Sequence, residues 1–322
     1  SGEHDMTINI IDADGAPLLD LLATGCVDAA GWPEEAAIPY AVRAPLWSEG
    51  ADKARAIALP ALGVMEHRDD GPLSLPHGAT LIKSFALPLQ GADGDVVVET
   101  RLMAAVDGGF RFATYRWDDG APERVPDDGA ERELTLRDGS ALLWTYPSSV
   151  GCLSCHDGLA LGPRPPQLDL RVRYGDEEAD QLDALVALGA LDARPPEEGH
   201  RPIARPDDLG APLLDRARGW LEANCAHCHR PGGWTPEEMD MDLRWSTPIG
   251  AARICDVPVQ FDTAPALGGY RLRPGAPEDS ALLQRALVRG PLRMPPAGGE
   301  RDDPQADGTL GALIRSLDGC PE

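Results

Sequence analysis

Two short stretches of this chain could do chemistry. Cys225 and Cys228 stand three apart in Asn-Cys-Ala-His-Cys-His, and His229 follows at once. Cys152, Cys155 and His156 repeat the arrangement in Gly-Cys-Leu-Ser-Cys-His. Residues three apart share one side of a helical turn, so both thiols of a pair can reach one object. Cys-x-x-Cys-His is the pattern of covalent haem attachment of the c type. The thiols add to the two vinyl groups of the porphyrin, and the imidazole ligates its iron. For one copy alone, a redox dithiol or half of a zinc site is the alternative. A second copy with the same spacing weighs against chance, and a zinc ribbon usually sets its pairs only about 15–20 residues apart. The pattern predicts two covalently attached haem c groups, held by Cys152, Cys155, Cys225 and Cys228, with His156 and His229 on iron.

Each motif histidine supplies one axial bond, and the sixth position decides whether a haem carries electrons or binds small molecules. For the second haem the candidate is Met294 in Leu-Arg-Met-Pro-Pro-Ala, a loop that two prolines stiffen. Met239 and Met241 are the fallback. For the first haem the residues leave the ligand open between His77, Met103, Lys83, Tyr146 and a vacant or water-filled position. His227, inside the second motif, reads as a surface or propionate neighbour rather than a ligand. His4, His67 and His200 sit in polar stretches and are expected to be exposed. Arg101, Arg111, Arg116 and Arg293 are candidate propionate partners, because arginine matches a carboxylate in a fork.

These residues need elements to position them. From about 46 to 147 short apolar runs alternate with Asp-Gly and Pro-rich turns, the signature of an antiparallel sheet. The runs include 79–87, 96–103 and 109–117, and Asp107-Gly108-Gly109 reads as a hairpin turn between two of them. Ahead of them, residues 1–45 mix a strand-like Thr-Ile-Asn-Ile-Ile with a leucine-rich helical turn. A Pro/Arg/Asp-rich connector at 163–210 contains one helical pattern over 178–188. Then come a helix running into the second motif, a helix near 278–288 with Asp279 or Ser280 at its start, and a terminal helix over 308–317. That order is the order of a small c-type cytochrome domain. The expected class is α+β: a β-rich domain over 1–205, with the first motif near its end, and an all-α, class I-like cytochrome c domain over 206–322.

At 322 residues, 43% of them hydrophobic, the chain has room for two domains with real cores. It contains no run of eighteen apolar residues, so no membrane span is expected. The formal charge of −24 disfavours nucleic acid and anionic membranes, and suits a basic redox partner protein. Covalent haem attachment takes place outside the cytoplasm. A periplasmic or otherwise exported location follows, with any signal peptide already removed from a chain that starts Ser-Gly-Glu-His-Asp. In an oxidising compartment Cys26, Cys255 and Cys320 become disulfide candidates, with Cys255–Cys320 preferred because both lie in the C-terminal half.

Further stretches carry a resemblance. They are Ala-Pro-Leu-Trp-Ser-Glu-Gly-Ala-Asp-Lys-Ala-Arg (44–55), Leu-Pro-His-Gly-Ala-Thr-Leu-Ile-Lys-Ser-Phe (75–85), Val-Glu-Thr-Arg-Leu-Met (98–103), Gly-Pro-Arg-Pro-Pro-Gln-Leu-Asp (162–169), the two haem motifs and the Met-Pro-Pro loop. With these the chain resembles a family of exported bacterial dihaem c-type cytochromes with a β-rich N-terminal half. The resemblance implies the architecture and the two haems, and says little about a substrate. Relatives usually have an apolar residue where this chain has His77, which weakens His77 as a ligand.

His/Met ligation at the second haem would fill both axial sites and raise the potential, which is the chemistry of an electron carrier. Electron transfer outside the cytoplasmic membrane is therefore the leading expectation. A dihaem peroxidase or oxidase, using an open first haem, is the alternative, and a sensor or a haem-stapled structural protein comes behind both. No nucleophile elbow, phosphate loop or dinucleotide fingerprint occurs.

Overall fold

The computed structural model describes residues 20–68, 71–118, 120–156, 159–196, 201–236, 239–260, 267–296 and 301–321. The fold is α+β, an N-terminal antiparallel sheet followed by a modestly helical C-terminal region. The chain divides into two compact units. The first is Ser1–Val42 with Ala51–Pro202, and the second is Arg43–Gly50 with Ile203–Glu322. The short piece 43–50 thus belongs with the C-terminal residues, which composition alone did not suggest. The strand-like 7–11 stretch lies outside the described residues; after it comes a single 3-10 turn, Leu22–Thr24.

The first unit is built on a six-stranded meander: β1 (Ile38–Pro39), β2 (Asp52–Ala58), β3 (Thr80–Leu87), β4 (Val96–Val106), β5 (Gly109–Asp118) and β6 (Ala121–Arg124), each paired to the next. The anticipated hairpin closes β4 onto β5. Val106 faces Gly109, and Gly108 takes φ +83°, a conformation that glycine adopts without strain. Alternation sorts side chains onto two faces. Ala56, Ile82, Leu102, Ala113 and Tyr115 pack with Leu21, Cys26 and Val27. On the other face Ile57, Leu81, Met103 and Phe112 pack with Leu168, Leu182 and Leu185. Full burial of a side chain such as Ile82 or Leu182 contributes about 1.5–3 kcal/mol.

A second hairpin, β7 (Ala130–Thr135) with β8 (Ala141–Tyr146), leads directly into α1 (Ser149–His156), which carries the first motif and packs on β5. After α2 (Pro165–Leu168), a small ribbon of β9 (Arg171–Tyr174) and β10 (Glu177–Asp180) precedes α3 (Gln181–Ala187). The helix expected from 178 therefore starts three residues later. Asp180 accepts hydrogen bonds from the Leu182 and Asp183 N–H groups and caps it, while 177–180 pair as a strand.

In the second unit α4 (Leu213–Asn224) runs up to Cys225. It packs so closely on residues 203 and 204 that a Cβ at Gly219 would lie 2.0 Å from the Ala204 carbonyl oxygen. Then follow α5 (Ala281–Leu287), a π-helical turn (Ala306–Gly311) and α6 (Ala312–Ser316). Trp220, Leu221, Leu243, Ile254, Leu283, Leu310 and Ile314 form its core. Neither residue expected to cap α5 does so. Ser280 Oγ accepts from the Arg273 N–H and donates to the Ala276 carbonyl, and Asp279 Oδ1 accepts from the Gly269 N–H. The terminal helix is also shorter than expected, because its first half winds as the π turn.

Cys255 and Cys320 are joined in a disulfide, the pairing anticipated, with Cα atoms 5.7 Å apart. Cys26 is a buried free thiol, pushed up to about 11 by burial against a smaller opposing effect of Thr24. Piece 43–50 joins the second unit by specific bonds. Arg43 Nε donates to the Ile203 carbonyl, the Trp47 N–H to Asn224 Oδ1 at 2.9 Å, and the Arg301 N–H to Glu49 Oε2 at 2.7 Å.

Candidate functional site

The second motif begins where α4 ends. Cys225 is the C-cap, and the next residues continue as tight turns: the Cys228 and His229 N–H groups both donate to the Cys225 carbonyl, at 3.2 and 2.9 Å. The motif is therefore a turn beyond the helix. Just before it, Asn224 is buried and fixed from both ends, accepting from Trp47 and donating to the Trp220 carbonyl at 2.9 Å. Trp220 in turn donates its indole N–H to Asp303 at 2.7 Å. These bonds hold the last turn of α4, and with it Cys225, in one place.

Beside the motif lies a cavity of about 270 Å³. Its walls include Cys225, His229, Met239, Met241 and Met294, with Trp220, Leu282 and Ala286 among the apolar remainder. The structure thus brings together the motif histidine, one motif cysteine and all three candidate methionines. Met294 is tied back by its N–H to the Arg285 carbonyl at 2.9 Å, across from α5. His229 is buried, and its Nδ1 has no hydrogen-bond partner. Burial first, then the charges of His227, Arg271 and Arg285, push its imidazole down to about 4. The ring is therefore neutral at physiological pH, the state in which it offers a lone pair to a metal. Burial also pushes Cys225 up to about 12. A reactive redox dithiol needs the opposite shift. A wall of thiol, neutral imidazole, thioether and aromatic surface fits a haem, and His229, Cys225 and Met294 are the residues that would hold it.

The first motif lies on α1. The Cys152 N–H donates to the Ser148 carbonyl at 3.0 Å, and Cys152, Cys155 and His156 are all half-buried. His156 stands against the Phe112 ring, centroids 5.4 Å apart, with Nδ1 3.0 Å from the Leu159 carbonyl oxygen. Burial holds its imidazole below the usual histidine range, opposed by that hydrogen bond, and the charges of Lys83 and Arg101 push the same way as burial. Met103 is buried directly opposite Phe112 in the β4–β5 register, one cross-strand step from the residue that touches His156.

On the same sheet face Arg55, Lys83 and Arg101 are in register across three neighbouring strands. Like charges so placed repel. The buried carboxylate of Glu99 offsets part of this: Arg101 Nε and Nη2 donate to its two oxygens at 2.5 and 3.1 Å, and Trp144 adds a third bond at 2.9 Å. Lys83 Nζ lies 4.6 Å from the centre of the Phe85 ring. Burial, then Arg55, Arg101 and Lys53, hold its ammonium well below the usual lysine range.

The remaining candidates fall elsewhere. His77 is exposed and pairs with Asp107 at 3.0 Å. Tyr146 is a core residue whose hydroxyl reaches the Val98 carbonyl. Arg116 pairs with Asp118 and Glu123, and Arg111 is exposed on β5. Arg293 is buried, donates to the Arg301 carbonyl, and does not line the cavity. His67, expected to be exposed, is half-buried, because its backbone N–H is tied to Asp192 beside the buried Met65. His227 is half-buried between the cysteines. His4 and His200 lie outside the described residues. Arg271 and Arg285 line the cavity and were not anticipated; in Gly-Gly-Tyr-Arg-Leu-Arg-Pro nothing marks Arg271 from an ordinary surface charge.

Compared with family models, with curated proteins and with solved structures, the chain matches none.

Proposed function

We propose that this chain is an exported dihaem c-type cytochrome that passes electrons between partner proteins outside the cytoplasmic membrane. The β-rich unit would carry the first haem, and the second unit would be a class I-like cytochrome c domain. One observation carries the reading: His229, Cys225 and Met294, distant in the chain, line one cavity. When bound, the haem supplies an iron that gains and loses one electron. The chain's own residues set what that iron can do. His229 is neutral and would present a ligand nitrogen, Met294 would offer a thioether, and Trp220, Leu282 and Ala286 give an apolar wall. Were His229 and Met294 both to ligate that iron, electron storage would be favoured over small-molecule binding. The Cys255–Cys320 disulfide supports an oxidising compartment. The charge of −24 supports a basic partner protein.

The alternative, a peroxidase- or oxidase-type enzyme, draws on the first motif. Lys83 and Arg101 act on His156 there, and Met103, opposite the Phe112 that touches His156, is a strand residue rather than one on a loop like that of Met294.

The deciding experiment is the mass of the exported protein and its ferrous optical spectrum with and without carbon monoxide. Two covalent haem masses with no spectral change under carbon monoxide support the electron carrier. Binding of the gas at one haem moves the assignment to the alternative. Absence of covalent haem removes both.

A further inference from the structure

Arg271 is one of the most deeply buried charges in the second unit, 4% exposed. One end of its guanidinium is occupied: Nη1 donates to Asp240 Oδ1 at 2.8 Å and to the Arg253 carbonyl at 2.7 Å. Asp240 is shared, since Arg253 also donates to it at 2.6 Å. The other edge is bare. Nε and Nη2 are both buried and have no hydrogen-bond partner. These two nitrogens form the side of the guanidinium that matches a carboxylate with two parallel bonds. A buried cation with two unmade charge-assisted bonds is destabilising unless something completes it.

The cavity says what would complete it. Arg271 stands in the same wall system as Cys225, His229 and Met294, with Arg285 nearby. The rest of the lining is largely apolar. A ligand matched to these walls has a large apolar body and a carboxylate edge. We propose that Arg271 is the positioning residue for a carboxylate in this cavity, and that the carboxylate is a propionate of the haem bound at Cys225 and Cys228. This rests on the haem reading above. Asp240 acts through Arg271, holding the far end of the guanidinium in place. The described ionisable groups around the site include Arg271, Arg285, Arg253, Asp240, Cys225, His229 and His227.

The test uses the full chain matured with its haems, as wild type, Arg271→Lys and Arg271→Gln. The midpoint potential of the second haem is followed between about pH 4 and 8, where carboxyl groups titrate. A propionate held by Arg271 stays ionised, so the wild-type potential is nearly flat over this range. In R271Q the potential falls at the upper end and gains a pH dependence as the released propionate titrates. R271K lies between, because a lysine offers a point charge instead of a fork. Identical pH profiles in wild type and R271Q, with haem attached in both, overturn the proposal. If R271Q does not mature, the propionate bending mode in resonance Raman spectra decides between wild type and R271K: no difference overturns it. Succinate added to the wild type is the control for a free ligand. A succinate-induced shift of the second haem that R271K abolishes would assign the edge to a soluble carboxylate and overturn the propionate assignment. Wild-type protein with haem on the first motif only, or on neither, instead marks failure of the haem reading.

Discussion

His229 and Met294 stand in the wall of one cavity, although one closes the turn after α4 and the other lies in the loop beyond α5. If both are axial ligands, Met294→Ala leaves the covalent haem mass unchanged. It abolishes the thioether-to-iron charge-transfer band of the ferric protein and lowers the potential. Ferrous M294A also binds carbon monoxide at the second haem. A band that survives in M294A transfers the ligand role to Met239 or Met241, which line the same cavity.

Replacing Cys225 and Cys228 together by alanine is expected to remove one covalent haem and leave the other. Replacing Cys152 and Cys155 does the converse. Intact-protein mass and haem-stained gels read the outcome, and two haems retained in either pair variant would sink the assignment of the motifs.

Glu99 is a stability residue whatever is bound. Its side chain is fully buried and satisfies Arg101 and Trp144 at once. Glu99→Gln leaves the Arg101 guanidinium without its counter-charge under α1, a loss of about 3 kcal/mol. Urea denaturation of E99Q against wild type measures it; a midpoint unchanged at equal slope would mean that solvent or another group replaces the carboxylate.

Asp180 links the N-terminus of α3 to Arg194, which reaches it at 2.6 Å. Burial tends to raise its carboxyl, but the bonds from Arg194 and from the Asp183 and Leu182 N–H groups outweigh burial and hold it below the ordinary 3.8. A depressed folded-state value means that this stabilisation is complete above the unfolded-state value. It is lost as pH falls through the folded one. Asp180→Ala should therefore cost about 1–2 kcal/mol near neutral pH. The gap between variant and wild type should close on acidification below about pH 4, and a gap independent of pH would leave the cap as a purely steric effect.

The Cys255–Cys320 disulfide spans 65 residues of chain. Chain-entropy arguments give a loop of that length about 4 kcal/mol, and measured losses are usually nearer 2–4 kcal/mol. The paired Cys255→Ser/Cys320→Ser variant should unfold at correspondingly lower denaturant. Cys26, buried and with its thiol pushed up to about 11, should resist alkylation in the native protein and react once unfolded.

The parts legible in the sequence are those governed by local rules. β3, β4 and β5 stand out as short, mostly apolar runs because much of each is buried on both faces, and the Asp107-Gly108 turn follows from glycine's freedom at positive φ. Local rules also misled. The helical pattern before α3 begins in a strand, since Asp180 spends its carboxylate on the cap, and Ser280 turns its hydroxyl to the preceding turn instead of to α5. The two Cys-x-x-Cys-His stretches and Met294 stand out in the sequence by residue type and spacing, and Cys225, His229 and Met294 meet at one cavity. Arg271 does not stand out, because its importance comes from burial and two unmade bonds, which only the folded neighbourhood creates.

The division of the chain has a consequence for how it is made. Residues 43–50 leave the ribosome early, yet Ile203, Asn224 and Arg301, to which they bond, come much later. Residues 43–50 therefore remain without these partners until the C-terminal stretch is made, and the second unit closes only when its last pieces meet a segment synthesised long before them. A gene fragment starting at Ile203 would lack Trp47 on Asn224 and Glu49 on Arg301, and fusing 43–50 to its front would be the shortest way to restore them.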